Sequence, residues 1–98
     1  MNLSDETRRR IEDYLAQDRI VLFMKGTPRQ PLCGFSAKTA GILDSLLESY
    51  TSVNVLEDED IREGIKEFGQ WPTIPQLYVD GELVGGCDIV TGMFNSGE

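Results

Sequence analysis

Five consecutive apolar residues, Ile20–Met24, restrict the possible folds of this chain more than any other stretch. A run without polar alternation is typical of a strand that is buried on both faces of a sheet. A segment with two prolines and a glycine follows, and a helical pattern then extends over residues 34–48. Because a second strand is predicted over residues 51–56, this helix would connect two parallel strands.

Capping signals predict two further helices. Ser4 is a suitable N-cap for a first helix over residues 4–17, and Asp58 is a suitable N-cap for a third helix that ends at Gly69. Acidic side chains stabilise the N-terminus of a helix. The acidic run of residues 57–60 is therefore interpreted as the start of that helix rather than as a metal site.

The last third of the chain predicts an antiparallel addition to the sheet. Asp80-Gly81 separates two short apolar stretches, which is a strong signal for a hairpin. A last helix is expected to follow, with Ile89, Val90 and Met93 buried. The resulting order, α-β-α-β-α-β-β-α, predicts an α/β fold with a four-stranded mixed sheet and helices on both faces.

The composition limits the class of protein. The 98 residues suffice for one small domain, residues 1–98. Nine basic and 17 acidic residues give a net charge of −8, which disfavours nucleic acid because phosphate contacts need clustered Lys and Arg. The apolar runs are too short to span a membrane, and the N-terminus lacks the pattern of a signal or transit peptide. We therefore expect a cytoplasmic protein without a membrane partner.

The chain has two cysteines, Cys33 and Cys87, and no histidine. These counts exclude a disulfide-rich scaffold, a zinc site built from one chain and a Cys–His catalytic pair. Cys33 lies where a strand, a loop and a helix are predicted to meet, and the positive end of a helix dipole stabilises a thiolate. Ser36 stands where a dithiol motif has its second cysteine, so only Cys87 or an external thiol could resolve a mixed disulfide on Cys33.

Two further segments predict a site for a peptide. Ile74-Pro75 is a candidate for a cis bond that leaves the backbone of Ile74 free to pair with an extended peptide, and a rigid turn is the alternative. After Gly85-Gly86, the N–H groups of the last helix suit a carboxylate and Asp88 suits an ammonium group. A glycine turn with a helix cap explains the same residues, and Cys87 is expected to be packed or semi-exposed rather than catalytic.

Lys25 and Arg62 could together clamp a terminal carboxylate, although each alone is more typical of a solvated surface charge. With Cys33, Ile74 and Asp88 they describe a site for a small, extended, thiol-bearing peptide. Such a peptide would carry a carboxylate at one end and an amino-acid group at the other. Glutathione has this form.

Four motifs in this order resemble those of a known family: Met24-Lys25-Gly26-Thr27-Pro28, Pro31-Leu32-Cys33-Gly34-Phe35-Ser36, Trp71-Pro72-Thr73-Ile74-Pro75-Gln76 and Gly85-Gly86-Cys87-Asp88. The chain closely resembles the monothiol glutaredoxins of the single-domain CGFS type from about residue 4 onward. The resemblance implies a thioredoxin fold. Because the family usually continues with more helix after Ser-Gly-Glu, the last helix is expected either to be truncated or to continue past Glu98.

The resemblance also implies a glutathione site and an iron–sulfur cluster. Lys25 and Arg62 would hold the glycine carboxylate, the backbone of Ile74 would pair with the cysteinyl backbone, and Cys87 and Asp88 would bind the γ-glutamyl end. Cys33 would ligate a [2Fe–2S] cluster, which needs four thiolates. Two Cys33 thiolates and two glutathione thiolates in a homodimer supply that number.

The resemblance leaves three functions to compare. The first is a carrier that passes clusters to acceptor proteins in iron–sulfur protein maturation and iron homeostasis. The second is a glutathione-dependent oxidoreductase, weak at most, in which Cys33 attacks a glutathionylated substrate. The third is a regulatory adaptor that acts through a BolA-type partner, since family members of this kind bind such proteins.

Overall fold

The computed structural model describes residues 3–97 of the chain. Within that part, the predicted order of elements is confirmed: α1 Asp5–Gln17, β1 Ile20–Met24, α2 Gly34–Leu46, β2 Thr51–Asn54, α3 Glu59–Gly69, β3 Gln76–Val79, β4 Glu82–Gly85 and α4 Cys87–Ser96. A short 3-10 helix, Val55–Glu57, follows β2. No helix in the described part of the chain is both long enough and apolar enough to cross a membrane.

The four strands form one mixed sheet in the order β2-β1-β3-β4. β1 runs parallel to β2 and antiparallel to β3, and β3 pairs with β4 as an antiparallel hairpin. In the register of the central strand, Val21 lies between Thr51 and Tyr78. This arrangement confirms the predicted α/β class and the thioredoxin fold.

Helices cover both faces of the sheet, as predicted, because β1 is apolar on both of its faces. On one face, Val21 and Phe23 pack with buried residues of α1 and α3, which are Ile11, Ile61 and Ile65. On the other face, Leu22 and Met24 pack with buried residues of α2 and α4, which are Ala40, Leu43 and Val90. Both faces of the sheet are therefore covered, and a ligand site can form only at the ends of the strands.

The predicted N-caps are confirmed. The Ser4 hydroxyl oxygen accepts the Thr7 N–H at 3.1 Å. The Asp58 carboxylate accepts the N–H groups of Asp60 and Ile61 at 3.1 and 3.3 Å, and it also pairs with the Arg10 guanidinium of α1. The acidic run is thus the start of α3, as expected, and its cap also connects two helices.

Three details differ from the prediction. β2 ends at Asn54 rather than at residue 56, because the Asn54 side-chain oxygen accepts the Leu56 N–H at 3.0 Å and starts the 3-10 helix. α2 ends two residues earlier than predicted, at Leu46. The predicted burial of Ile89 is wrong, since 42% of this residue is exposed while Val90 enters the core. A helix of ten residues carries too few apolar positions to fix its rotation from sequence.

Candidate functional site

Cys33 is the N-cap residue of α2 and follows the loop that leaves β1. This loop folds back on itself, because the Leu32 N–H donates to the Lys25 carbonyl oxygen at 3.0 Å. The Gly26 N–H donates to the Asn54 side-chain oxygen at 2.9 Å, which fastens the loop to the end of β2. The half-buried Cys33 is therefore held at the end of the sheet where the two parallel strands finish.

The pKa of the Cys33 thiol is lowered from its ordinary value. The largest cause is the hydrogen bond that the backbone N–H of Ser36 donates to the sulfur. The Phe35 N–H, the Lys25 ammonium and the Ser36 hydroxyl act in the same direction, while burial opposes them. A helix start therefore provides the thiolate stabilisation that a histidine provides in other cysteine sites.

Ser36 is fully buried and has a structural partner of its own. Its hydroxyl oxygen accepts the backbone N–H of Lys25 at 3.1 Å, which joins the end of β1 to the first turn of α2. The position that holds the second thiol of a dithiol motif is therefore used to place Lys25 and Cys33 side by side.

Two cavities that share three residues form one extended groove beside Cys33. The first, of about 330 Å³, is lined by Lys25, Cys33, Phe35, Lys66, Pro72, Thr73 and Ile74. The second, of about 190 Å³, is lined by Phe35, Trp71, Thr73, Ile74, Pro75, Gly86, Cys87 and Asp88. We call the two together the ligand groove. It has lysines at one end and Asp88 at the other.

The ligand groove brings together five of the six residues predicted from sequence, which are Lys25, Cys33, Ile74, Cys87 and Asp88. Arg62 lines neither cavity. Its Nη1 lies 3.8 Å from the Glu59 carboxylate, and its Nε is buried without a hydrogen-bond partner among residues 3–97. The role of Arg62 at a carboxylate stays a prediction.

Lys66 and Phe35 line the groove but were given no role from sequence. Lys66 follows Arg62 by one helical turn on α3, and this i, i+4 spacing places both side chains on one face. This spacing from Arg62 was the sequence signal that could have indicated a second cation near the carboxylate site. Phe35, 64% exposed, lines both cavities, but its motif position alone did not indicate that it would face a ligand.

The end of the groove near Asp88 is lined by residues of the two segments that the sequence predicted, Ile74-Pro75 and residues 85–88. The Ile74-Pro75 bond is cis, as predicted. A Cβ atom on Gly86 would lie 3.0 Å from Trp71 Nε1 and 3.1 Å from the Pro75 carbonyl oxygen, so this glycine admits neighbouring protein atoms as well as facing the groove. Cys87 is packed, as expected, with its sulfur 3.9 Å from Thr91 Oγ1, and both cysteines are free thiols.

Comparison with known proteins gives relatives over nearly the whole chain. The chain is 54% identical to monothiol glutaredoxin-5, mitochondrial, of Saccharomyces cerevisiae, covering 100% of this chain and 67% of the yeast protein. It is 50% identical to the probable monothiol glutaredoxin 2 of Rickettsia felis, covering 90% of this chain and 85% of that protein. It is 49% identical to the Danio rerio glutaredoxin-related protein 5, mitochondrial, covering 97% of this chain and 62% of that protein.

These relatives contradict the expected cytoplasmic location. The proteins from budding yeast, fission yeast, zebrafish and Lachancea kluyveri are all named mitochondrial. The prediction of a cytoplasmic protein is therefore wrong. It was based on the composition of the N-terminus alone. A transit peptide is a segment separate from the folded domain, so the composition of a domain does not reveal the compartment to which a protein is targeted.

Solved structures and a family model agree with the relatives. The solution structure of reduced poplar apo GrxS14 superposes with a TM-score of 0.84 at 47% identity, covering 100% of this chain and 90% of that chain. A buckwheat glutaredoxin–glutathione complex, 20% identical with a TM-score of 0.80, covers 96% of this chain and 87% of its own and shows the shared fold. The glutaredoxin family model matches residues 20–84. This chain belongs to the glutaredoxin family.

Proposed function

We propose that this protein binds glutathione in the ligand groove and, as a homodimer, carries a [2Fe–2S] cluster to acceptor proteins. This would place it in iron–sulfur protein maturation and iron homeostasis. The observation that carries the proposal is a Cys33 thiol of lowered pKa beside an extended groove, with a buried serine where a resolving thiol would be. A thiolate that is held and not resolved within its own motif is suited to act as a ligand.

The chemistry of the groove supports glutathione, the ligand of glutaredoxins. Lys25 and Lys66 at one end would hold the glycine carboxylate, and the backbone of Ile74 would pair with the cysteinyl residue. The first N–H groups of α4 and the Asp88 carboxylate at the other end would hold the γ-glutamyl group. The first cavity, of about 330 Å³, lies at the lower end of the range of about 300–1,000 Å³ that is usual for ligand pockets, and the second extends it as far as Asp88.

The donor set supports a cluster that is shared between two chains. Cys33 lines the cavity that also contains Lys25, and it is the thiol that one chain would supply as a ligand. Residues 3–97 contain no group of three or more His, Cys, Asp or Glu side chains that could hold a metal ion within one chain. Two Cys33 thiolates and two glutathione thiolates would complete the four ligands. Leu32 and Phe35 beside Cys33 are 62% and 64% exposed, and apolar surface of this kind is suited to contact with a second copy.

Reconstitution without air tests the cluster proposal. The protein is incubated with iron, sulfide and glutathione, and its visible spectrum and mass in solution are measured. We expect a coloured dimer from the wild type and a colourless protein from Cys33→Ser. A glutathione analogue without the thiol should also give no cluster, because two of the four ligands would be missing. A colourless monomer with intact glutathione would refute the proposal.

A second candidate function is glutathione-dependent reduction of mixed disulfides, which the lowered pKa of Cys33 favours. The Cys33 thiolate would attack the glutathione sulfur of a glutathionylated substrate, and the substrate would leave as a thiolate. A second glutathione thiolate would then attack the mixed disulfide, releasing oxidised glutathione and restoring Cys33. Rapid turnover in a mixed-disulfide assay would favour this function, whereas slow turnover beside efficient cluster binding would favour the carrier.

The partners that we propose are iron–sulfur acceptor proteins and a BolA-like protein. Cluster transfer can be followed by the spectrum of an apo acceptor mixed with the loaded dimer. Association with a BolA-like protein can be followed by co-purification, with and without the cluster. Failure to form a stable complex in both states would exclude the adaptor function.

A further inference from the structure

Gln76 is a buried amide that the proposed chemistry does not use. It is the first residue of β3, and none of its surface is exposed. Its side-chain nitrogen donates to the carbonyl oxygens of Trp71 and Thr73 at 3.0 and 3.2 Å. Its side-chain oxygen accepts the Tyr78 hydroxyl at 2.9 Å. Because carbonyl oxygens can only accept, these partners also determine which way the amide is turned.

The two carbonyl groups belong to the loop of residues 71–75, which forms one wall of the ligand groove. The same loop is fixed to α3, because the Trp71 N–H donates to the Lys66 carbonyl oxygen at 3.1 Å. Gln76 therefore supplies the attachment on the β3 side. The loop has no regular secondary structure of its own, so its conformation depends on such attachments.

The surroundings of Gln76 leave little room for a substitute donor. A Cβ atom on Gly69 would lie 2.5 Å from the Tyr78 hydroxyl and 2.8 Å from the Gln76 side-chain oxygen. The last residue of α3 thus approaches the buried polar pair as closely as a glycine allows. If the donors of Gln76 were removed, the Trp71 and Thr73 carbonyls would lose bonds that this packing does not replace.

We propose that Gln76 is a positioning residue, which holds the 71–75 loop from inside in the conformation that binds glutathione. It would act through the backbone of Thr73 and Ile74 and would not touch the ligand. The identity of the ligand rests on the proposed function. The link between Gln76 and the shape of the loop does not.

The test compares Gln76→Glu with Tyr78→Phe. Gln76→Glu keeps the shape and the acceptor but removes both amide N–H donors to the loop, leaving one O–H donor at most when the buried carboxyl is protonated. Tyr78→Phe removes a hydroxyl from the same cluster and keeps both amide donors. We expect Gln76→Glu to weaken glutathione binding on the order of ten-fold. Amide hydrogen exchange of Trp71, whose N–H donates to the Lys66 carbonyl oxygen, should accelerate. Tyr78→Phe should lower thermal stability while changing affinity about two-fold or less.

If both variants lose affinity in proportion to their loss of stability, Gln76 has only a structural role and the proposal is overturned. Unchanged exchange of the Trp71 amide in Gln76→Glu would also overturn it. If Gln76→Glu does not fold, Gln76→Met removes the donors without adding charge and is judged by the same two measurements. Exchange is measured without ligand, so it still decides the role of Gln76 if the wild type fails to bind glutathione and the proposed function is rejected.

Discussion

At the scale of single residues, the backbone determines the chemistry of Cys33. The chain has no histidine, and the first N–H groups of α2 lower the thiol pKa instead. Ser36 contributes through its own N–H and also fixes the end of β1 with its hydroxyl. One serine therefore both stabilises the thiolate and removes the resolving thiol of a dithiol site.

The lowered pKa of Cys33 makes stability depend on pH. Because the folded-state pKa lies below the ordinary value of 9.0, ionisation of Cys33 favours the folded state. This contribution is fully present above pH 9.0 and is lost as the pH falls through the folded-state pKa. The difference in the free energy of unfolding between wild type and Cys33→Ser should therefore shift in favour of the wild type as the pH rises through that window. Urea unfolding across pH measures it, and a constant difference would contradict the lowered pKa.

Cationic side chains at one end of the groove should determine glutathione affinity. Lys66→Ala removes a cation from the proposed carboxylate site and leaves the carboxylate of its ion-pair partner Glu63 uncompensated. We expect affinity to fall by about ten-fold. Lys38→Ala, an exposed lysine of α2 outside the groove, is the matched control and should leave affinity unchanged. Calorimetry measures both.

Arg62→Ala and Asp88→Ala extend this comparison. Asp88→Ala should weaken binding as Lys66→Ala does, because Asp88 lines the opposite end. Arg62→Ala tests the role predicted from sequence. If only Arg62→Ala changes affinity, the carboxylate site is misplaced and lies outside the groove described above.

At the scale of helices and strands, local signals determined much of what could be predicted. Ser4 and Asp58 cap their helices as expected because capping is a short-range interaction. The 3-10 helix that ends β2 follows from the local bond between Asn54 and Leu56, which the strand pattern of the sequence does not reveal. The rotation of a short helix depends on tertiary packing, so the exposure of Ile89 was missed. Lys66 was missed for the same reason, since which α3 side chains line the groove depends on how the helix packs.

Asp58 should contribute to stability at the junction of α1 and α3. Asp58→Ala removes the acceptor for two backbone N–H groups and the partner of Arg10. We expect a loss of about 1–2 kcal/mol in the free energy of unfolding. Asp13→Ala, at an exposed position of α1, should change it by less than about 0.5 kcal/mol. Equal losses in denaturant titrations would show that the cap contributes nothing.

At the scale of the whole molecule, a strongly acidic chain presents a cationic groove end and an apolar surface beside one thiol. The net charge of −8 opposes the close approach of two copies. The favourable free energy of association in the proposed dimer must therefore come from apolar contacts and from the shared cluster. Leu32 and Phe35 are the exposed apolar residues that flank Cys33. The sequence contained these residues, but their exposure became evident only from the fold.

Leu32 should affect the dimer and not the ligand, because it flanks Cys33 without lining the groove. We expect Leu32→Asp to weaken the loaded dimer on the order of ten-fold while glutathione affinity stays unchanged. Leu46→Asp, equally apolar and 59% exposed at the other end of α2, is the matched control and should leave both unchanged. Sedimentation measures the dimer, and equal effects of the two variants would argue against a contact at Leu32.

Native mass spectrometry of protein reconstituted without air decides whether Cys33 and glutathione together hold the cluster. We expect one species with two chains, two glutathione molecules and one [2Fe–2S] cluster. The same species should be absent for Cys33→Ser. A cluster bound to a single chain, or a dimer that retains its cluster without glutathione, would contradict the assignment of Cys33 and the glutathione thiol as the ligands.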